Sequence, residues 1–122
     1  MMQMLSQTPA AAYRRVALEA RIEASGSADL TRICLEEAQT ALGQARHALD
    51  RGLPAPSEPL GRAQTILLWL AGSVAPDHPL RASLKAFYGG LAGQIGANIL
   101  QADAAGIAGI QQDIRDILEA AG

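Results

Sequence analysis

The chain has 122 residues, a formal net charge of -2 and a composition that is 49% hydrophobic but only 3% aromatic. This length is sufficient for one domain that buries a core without disulfides or metals. The weakly acidic balance excludes the basic patch typical of nucleic-acid binding and the polybasic segment typical of membrane-surface binding. We therefore predict no nucleic-acid partner and no membrane partner, and a core built from small aliphatic side chains.

The single cysteine and the longest apolar run bear on the cellular compartment. Cys34 lies in an apolar helical pattern, which predicts a buried side chain and no disulfide. The opening stretch MMQMLSQTPAAAYRR lacks the continuous apolar core that a signal peptide needs. The longest wholly apolar run, ILLWLA at 66–71, is far shorter than the roughly 20 residues of a membrane-spanning helix. These observations predict a cytoplasmic protein.

The chain is predicted to begin with a separate N-terminal segment, residues 1–24. A Thr-Pro pair provides an N-cap and a first helical proline for a short helix over 10–24. The apolar positions of this helix, Tyr13 among them, form only a weak stripe, so we expect a flexible segment that packs outside the main domain. The main domain is predicted to cover residues 25–122.

Four stronger helices follow in chain order, each with large apolar residues that alternate in spacings of three and four. The first is expected to end near Gly52, and three prolines then separate it from a helix that begins near residues 57–59. Asp77 is the predicted cap of the next helix, whose predicted core stripe is Leu80, Leu84, Phe87, Leu91 and Ile95. The predicted core seams are Leu35/Leu42/Leu49, Leu60/Leu67/Leu70, Leu84/Leu91/Ile95 and Ile110/Ile114/Ile117.

The fold class follows from these helices. No segment alternates with a period of two over a useful length, so no strand is predicted. Four amphipathic helices joined by short linkers predict an all-α fold, an antiparallel up-and-down four-helix bundle with a short extra N-terminal helix.

The stretch FYGGLAGQIGANILQADAAGIAG combines helical spacing of large residues with six glycines, although each interior glycine costs about 1 kcal/mol relative to alanine. Gly89, Gly93 and Gly96 each precede an expected inward-facing residue by two positions, and two residues are about 200° apart on a helix. We therefore predict that this glycine row lies nearly opposite the core face. There a second backbone could approach closely, either a partner helix or the chain's own N-terminal helix.

Catalytic patterns are scarce. HALDRG, beginning at His47, resembles in part the His-x-Leu-Lys-Gly stretch of histidine phosphotransfer domains, but the lysine is missing and the glycine comes one residue late. Neither histidine has Cys, Asp or Glu at metal-ligand spacing, and no nucleophile elbow or phosphate loop is present. We predict no enzymatic activity, metal or cofactor, and keep a phosphotransfer module as an alternative.

Several stretches together carry a family resemblance. LGRAQTILLWLAGSV resembles the Arg-Ala-Gln-x-Ile-Ile-x-x-Leu-x-x-Ser-Leu helix of the FliS family, the flagellin export chaperones. ADLTRICLEEAQTALGQARHAL is similar to the preceding helix of that family, AFYGGLAGQIGAN to its Leu-Tyr-x-Tyr helix and IQQDIRDILEA to its last helix. Tyr13 fits the tyrosine that precedes the bundle. The chain departs from the pattern where Leu35-Glu36-Glu37 replaces Tyr-Asp-Gly and where Trp69 replaces an acid, as a divergent member would.

The resemblance implies a cytosolic export chaperone rather than an enzyme. Such a protein binds the C-terminal segment of flagellin, prevents premature polymerisation and aids delivery to the flagellar type III export apparatus, with components of the export gate as further partners. The client would lie as helices in apolar grooves, and the segment around Tyr13 would cover part of the site when it is empty. A bundle with a different client or a regulatory role in the same secretion system is the alternative. The predicted partner-binding residues are Tyr13, Leu68, Trp69, Gly89, Gly93 and Gly96.

Overall fold

The computed structural model describes residues 27–54 and 56–121. Within these ranges the chain is all-α, with four helices and no strand, which confirms the predicted fold class. The predicted helix over 10–24, Tyr13 and the predicted domain boundary at 24/25 lie outside the described residues. The helices are α1 (Ser27–Asp50), α2 (Ser57–Ser73), α3 (Arg81–Leu100) and α4 (Ala104–Ala121).

The chain divides into two compact units, 1–33 and 34–122. In the first unit the structure describes only residues 27–33, which form the opening turns of α1. The second unit contains the rest of α1 with α2, α3 and α4, and it has an apolar core of its own. The largest fully buried side chains of that core are Leu42, Leu60, Leu67, Leu91, Ile95, Ile107, Ile110 and Ile114.

The predicted core seams are largely confirmed, and their exceptions lie near helix ends. Leu49, Leu84 and Ile117 are half-buried, whereas the other residues of the four seams are buried. Leu49 is in the last turn of α1, Leu84 in the first turn of α3 and Ile117 in the last two turns of α4. The neighbouring helices cover such positions less completely than the middle of a helix.

The end of α1 is fixed by a glycine, as the sequence predicts. Gly52 has a φ of 73°, a left-handed conformation that only glycine adopts without a steric penalty. The Leu53 N–H donates to the Ala48 carbonyl and the Gly52 N–H to the Leu49 carbonyl, both at 3.0 Å. This is the Schellman arrangement, which satisfies carbonyls that the end of a helix leaves unpaired.

Helices α2 and α3 run antiparallel. The Gln64 side-chain amide donates to the Ala92 carbonyl at 3.2 Å, and seven residues later the Lys85 ammonium donates to the Ala71 carbonyl at 3.3 Å. Because the residue numbers rise on one helix as they fall on the other, the two helices have opposite directions. The up-and-down order of all four helices stays a prediction.

The start of α3 differs from the prediction. Asp77 does not cap this helix, which begins at Arg81, and Leu80 is 58% exposed instead of belonging to the core stripe. The reason is Pro79, whose ring disfavours helical backbone at the preceding residue, so the helix cannot begin directly after Asp77. The Leu80 N–H instead donates to Nδ1 of His78 at 2.9 Å.

Asn98 and Asp103 organise the turn from α3 to α4. The Asn98 amide donates to the Gln94 carbonyl at 3.0 Å, and its Oδ1 accepts from the Asp103 N–H at 2.8 Å. The Asp103 carboxylate in turn accepts from the Gly106 N–H at 3.1 Å, in the manner of an N-cap. Asn98 is only 7% exposed, and these bonds satisfy a polar side chain that burial would otherwise penalise.

Candidate functional site

Two large apolar side chains of α2 are exposed to solvent. Leu68 is 55% exposed and Trp69 is 47% exposed, whereas the adjacent Leu67 is fully buried. The sequence makes the middle of this helix apolar nearly all round, a pattern that predicts burial on more than one side. In the structure only one side of α2 is buried, and no described element covers Leu68 and Trp69.

The glycine row of α3 divides into two kinds of position. Gly93 is exposed, and no described atom lies within 4 Å of where its Cβ would be. Gly89 is half-buried and equally open. Gly96 differs, because a Cβ there would lie 2.7 Å from the side-chain nitrogen of Gln64 on α2. The row is predicted to lie nearly opposite the core face and open to a second backbone, but at Gly96 this space is occupied by Gln64 of α2.

The missing side chain at Gly96 has a structural use. Within a helix the Ala92 carbonyl accepts from the N–H four residues later, that of Gly96. The Gln64 amide reaches the same carbonyl through the space that a Cβ at Gly96 would occupy. Gly96 therefore belongs to the contact between α2 and α3, while Gly89 and Gly93 remain the open part of the row.

The exposed sides of α2 and α3 have no charged side chain over most of their length. Residues 63–73 of α2 and 86–100 of α3 contain no Asp, Glu, Lys, Arg or His. For brevity we call the exposed positions within these two stretches the neutral face, although they do not all point the same way: Gln64 and Ala71 mark the side of α2 that faces α3, and Trp69, two residues before Ala71, lies about 200° around the helix from it. They are Thr65, Leu68, Trp69, Gly72 and Ser73 on α2, and Ala86, Gly90, Gly93, Gln94, Ala97 and Leu100 on α3.

Chemically, the neutral face is suited to packing rather than to catalysis. Its apolar side chains can be removed from water by a partner, with a gain of roughly 25 cal/mol per Å² of apolar surface covered. Its glycine and alanine positions let another backbone come close without a steric obstacle. None of its own side chains is charged, and the nearby Lys85 ammonium is held by the Ala71 carbonyl at 3.3 Å, so a partner that covers the face meets a single cation at one end of it.

Arg62 and Gln64, in the LGRAQTILLWLAGSV stretch of α2, form hydrogen bonds to the neighbouring helices. Arg62 donates to both oxygens of Glu58, at 3.1 and 2.9 Å, and to Oε1 of Gln44 on α1 at 2.7 Å. Its Nε lies 3.7 Å from Oε2 of Glu37, also on α1. Arg62 therefore connects α2 to α1 as Gln64 connects α2 to α3. In the sequence these residues stand out only through the family resemblance.

A second polar contact joins α1 to α4. The Gln39 amide donates to the Gln111 carbonyl at 3.0 Å, and Arg46 donates to Oε1 of the Gln111 side chain at 3.2 Å. The other amide atom, Oε1 of Gln39, is buried and has no hydrogen-bond partner among the described residues. The hydrogen bonds of Gln39 and Arg46 to Gln111 therefore connect α1 to α4.

Tyr88 is a core residue that the predicted seams omit. The predicted core stripe of α3 includes Phe87, but Phe87 is half-buried and Tyr88 is buried, with the two rings edge to face at a centroid distance of 5.7 Å. Tyr88 precedes Leu91 by three residues and Ile95 by seven, so the same helical spacing could have identified it. Burial raises the pKa of its hydroxyl.

The residues with reactive side chains are dispersed. Cys34 is buried at 4% exposure, as predicted, and burial raises the pKa of its thiol. His47 is exposed in the last turn of α1. Over residues 27–54 and 56–121 no three His, Cys, Asp or Glu side chains are grouped so that they could hold a metal ion. None of the helices described is long and apolar enough to cross a bilayer.

Comparison with known proteins adds no relative. No protein-family model, curated protein or solved structure matches this chain.

Of the six predicted partner-binding residues, Leu68, Trp69 and Gly93 lie on the neutral face and Gly89 lies open beside it. Gly96 packs against Gln64, and Tyr13 lies outside the described residues.

Proposed function

We propose that this protein is a cytosolic export chaperone that binds the C-terminal segment of flagellin and delivers it to the flagellar type III export apparatus. The proposal includes membership of the FliS family and the absence of catalytic activity. The proposal rests on the resemblance between the helix motifs in this sequence and those of the FliS family. The neutral face is the single structural observation that supports it most directly.

The neutral face supports a helix as the form in which the client binds. A partner helix with an apolar stripe matches the exposed, uncharged side chains that run along two antiparallel helices. Trp69 would provide the main contact, since tryptophan is enriched among the residues that dominate interface energies, and Leu68 would add apolar area to it. Gly89 and Gly93 would allow the client backbone to approach α3.

The test measures client binding after one of the open glycines is filled. Calorimetry with a peptide of the C-terminal segment of flagellin compares the wild-type chain with Gly93→Leu. Because no described atom lies within 4 Å of the Cβ position, leucine fits without disturbing the core, and its bulk projects onto the neutral face. We expect Gly93→Leu to weaken binding at least about tenfold, which corresponds to 1.4 kcal/mol or more.

Gly109→Leu is the matched control. Gly109 is an exposed glycine of α4, with no described atom within 4 Å of its Cβ position, and it lies outside the neutral face. The control variant should bind like the wild-type chain, and both variants should keep their helix content and melting temperature. Unchanged affinity of Gly93→Leu would place the client elsewhere. Lack of binding by the wild-type chain would exclude the proposed client.

A further inference from the structure

We draw no further inference here: the strongest candidate, the neutral face of α2 and α3 around Leu68, Trp69 and Gly93, already serves as the proposed client surface, and nothing in the structure shows what else covers it.

Discussion

Gly93 and Gly96 stand three residues apart on α3, yet the same substitution should affect them differently. Alanine is favoured over glycine inside a helix by about 1 kcal/mol. At Gly93 nothing described opposes that gain, because the Cβ position is open. At Gly96 the new Cβ meets the Gln64 amide at 2.7 Å, and this flexible side chain must leave the Ala92 carbonyl.

We therefore expect Gly93→Ala to raise the free energy of unfolding by about 1 kcal/mol. Gly96→Ala should leave it within about 0.5 kcal/mol of wild type, because the lost hydrogen bond offsets the gain in helix propensity. Chemical denaturation of the two variants measures the difference. In a Gln64→Ala background the offset disappears, so Gly96→Ala should then stabilise the chain. Equal gains at both glycines in the wild-type background would contradict the proposed role of Gln64.

Burial of Cys34 predicts a dependence of stability on alkaline pH. The pKa of its thiol is raised above the ordinary value of 9.0, so the folded chain keeps a proton that the unfolded chain has lost. Where the folded state binds more protons, stability falls as pH rises. The free energy of unfolding should decline from about pH 9 upward.

Cys34→Ala removes this thiol and should flatten the first part of the decline. Tyr88, whose hydroxyl pKa is also raised by burial, should maintain the decline above about pH 10. Urea denaturation at a series of pH values measures both parts. An identical decline in the wild-type chain and in Cys34→Ala around pH 9 would show that the thiol does not contribute.

Helix α2 contains a matched pair of neighbouring leucines with opposite environments. Leu67 is fully buried and Leu68 is 55% exposed. Leu67→Ala should cost about 2–5 kcal/mol, as for other buried leucines. Leu68→Ala should change stability by no more than about 0.5 kcal/mol, in line with other surface substitutions. Thermal denaturation of the two variants tests the orientation of α2, and similar losses would mean that this helix is packed on both sides.

The existence and the core faces of the described helices could be predicted from the sequence. Apolar residues at spacings of three and four specify a helix and its buried side at once, so Leu35, Leu42, Ile110 and Ile114 were placed correctly. The start of α3 could not be predicted so well, because the cap candidate Asp77 competes with the steric effect of Pro79 two residues later.

The environment of the glycines could be predicted only in part. Residue spacing gives the direction in which each position points around its own helix, and this is enough to predict that Gly93 faces away from the core of α3. It does not give the neighbour that occupies the space, so the contact between Gly96 and Gln64 needed the structure. In α3 apolar residues surround the helix almost completely, and this is why the seam could be drawn through Phe87 instead of Tyr88.

Among residues 27–54 and 56–121, three of the five large apolar side chains that are exposed belong to the neutral face, namely Leu68, Trp69 and Leu100, while Leu53 and Leu80 lie in the connections between helices. Residues 63–73 and 86–100 lack charge, whereas α4 alone contains Asp113, Arg115, Asp116 and Glu119. Charged side chains keep most protein surfaces hydrated, and an extended uncharged apolar patch commonly marks a site of association. The only tryptophan of the chain, Trp69, lies within this patch.

Trp69 therefore provides an intrinsic probe of the proposed client surface. At 47% exposure its indole contacts water in the free protein. A client helix that covers the neutral face would remove that water, because the apolar indole gains free energy when a partner buries it. Titration with a tryptophan-free peptide of the C-terminal segment of flagellin should move the fluorescence emission to shorter wavelength.

Two glycine variants test whether the Trp69 emission shift comes from peptide binding at the neutral face. Gly109→Leu, on α4, should show the same emission shift over the same peptide concentrations as the wild-type chain. Gly93→Leu should show the shift only at concentrations about tenfold higher or more, since its side chain obstructs the approach to α3 while leaving Trp69 in place. If calorimetry detects binding while the Trp69 emission stays constant, the client does not cover this part of α2, and the neutral face must have another use.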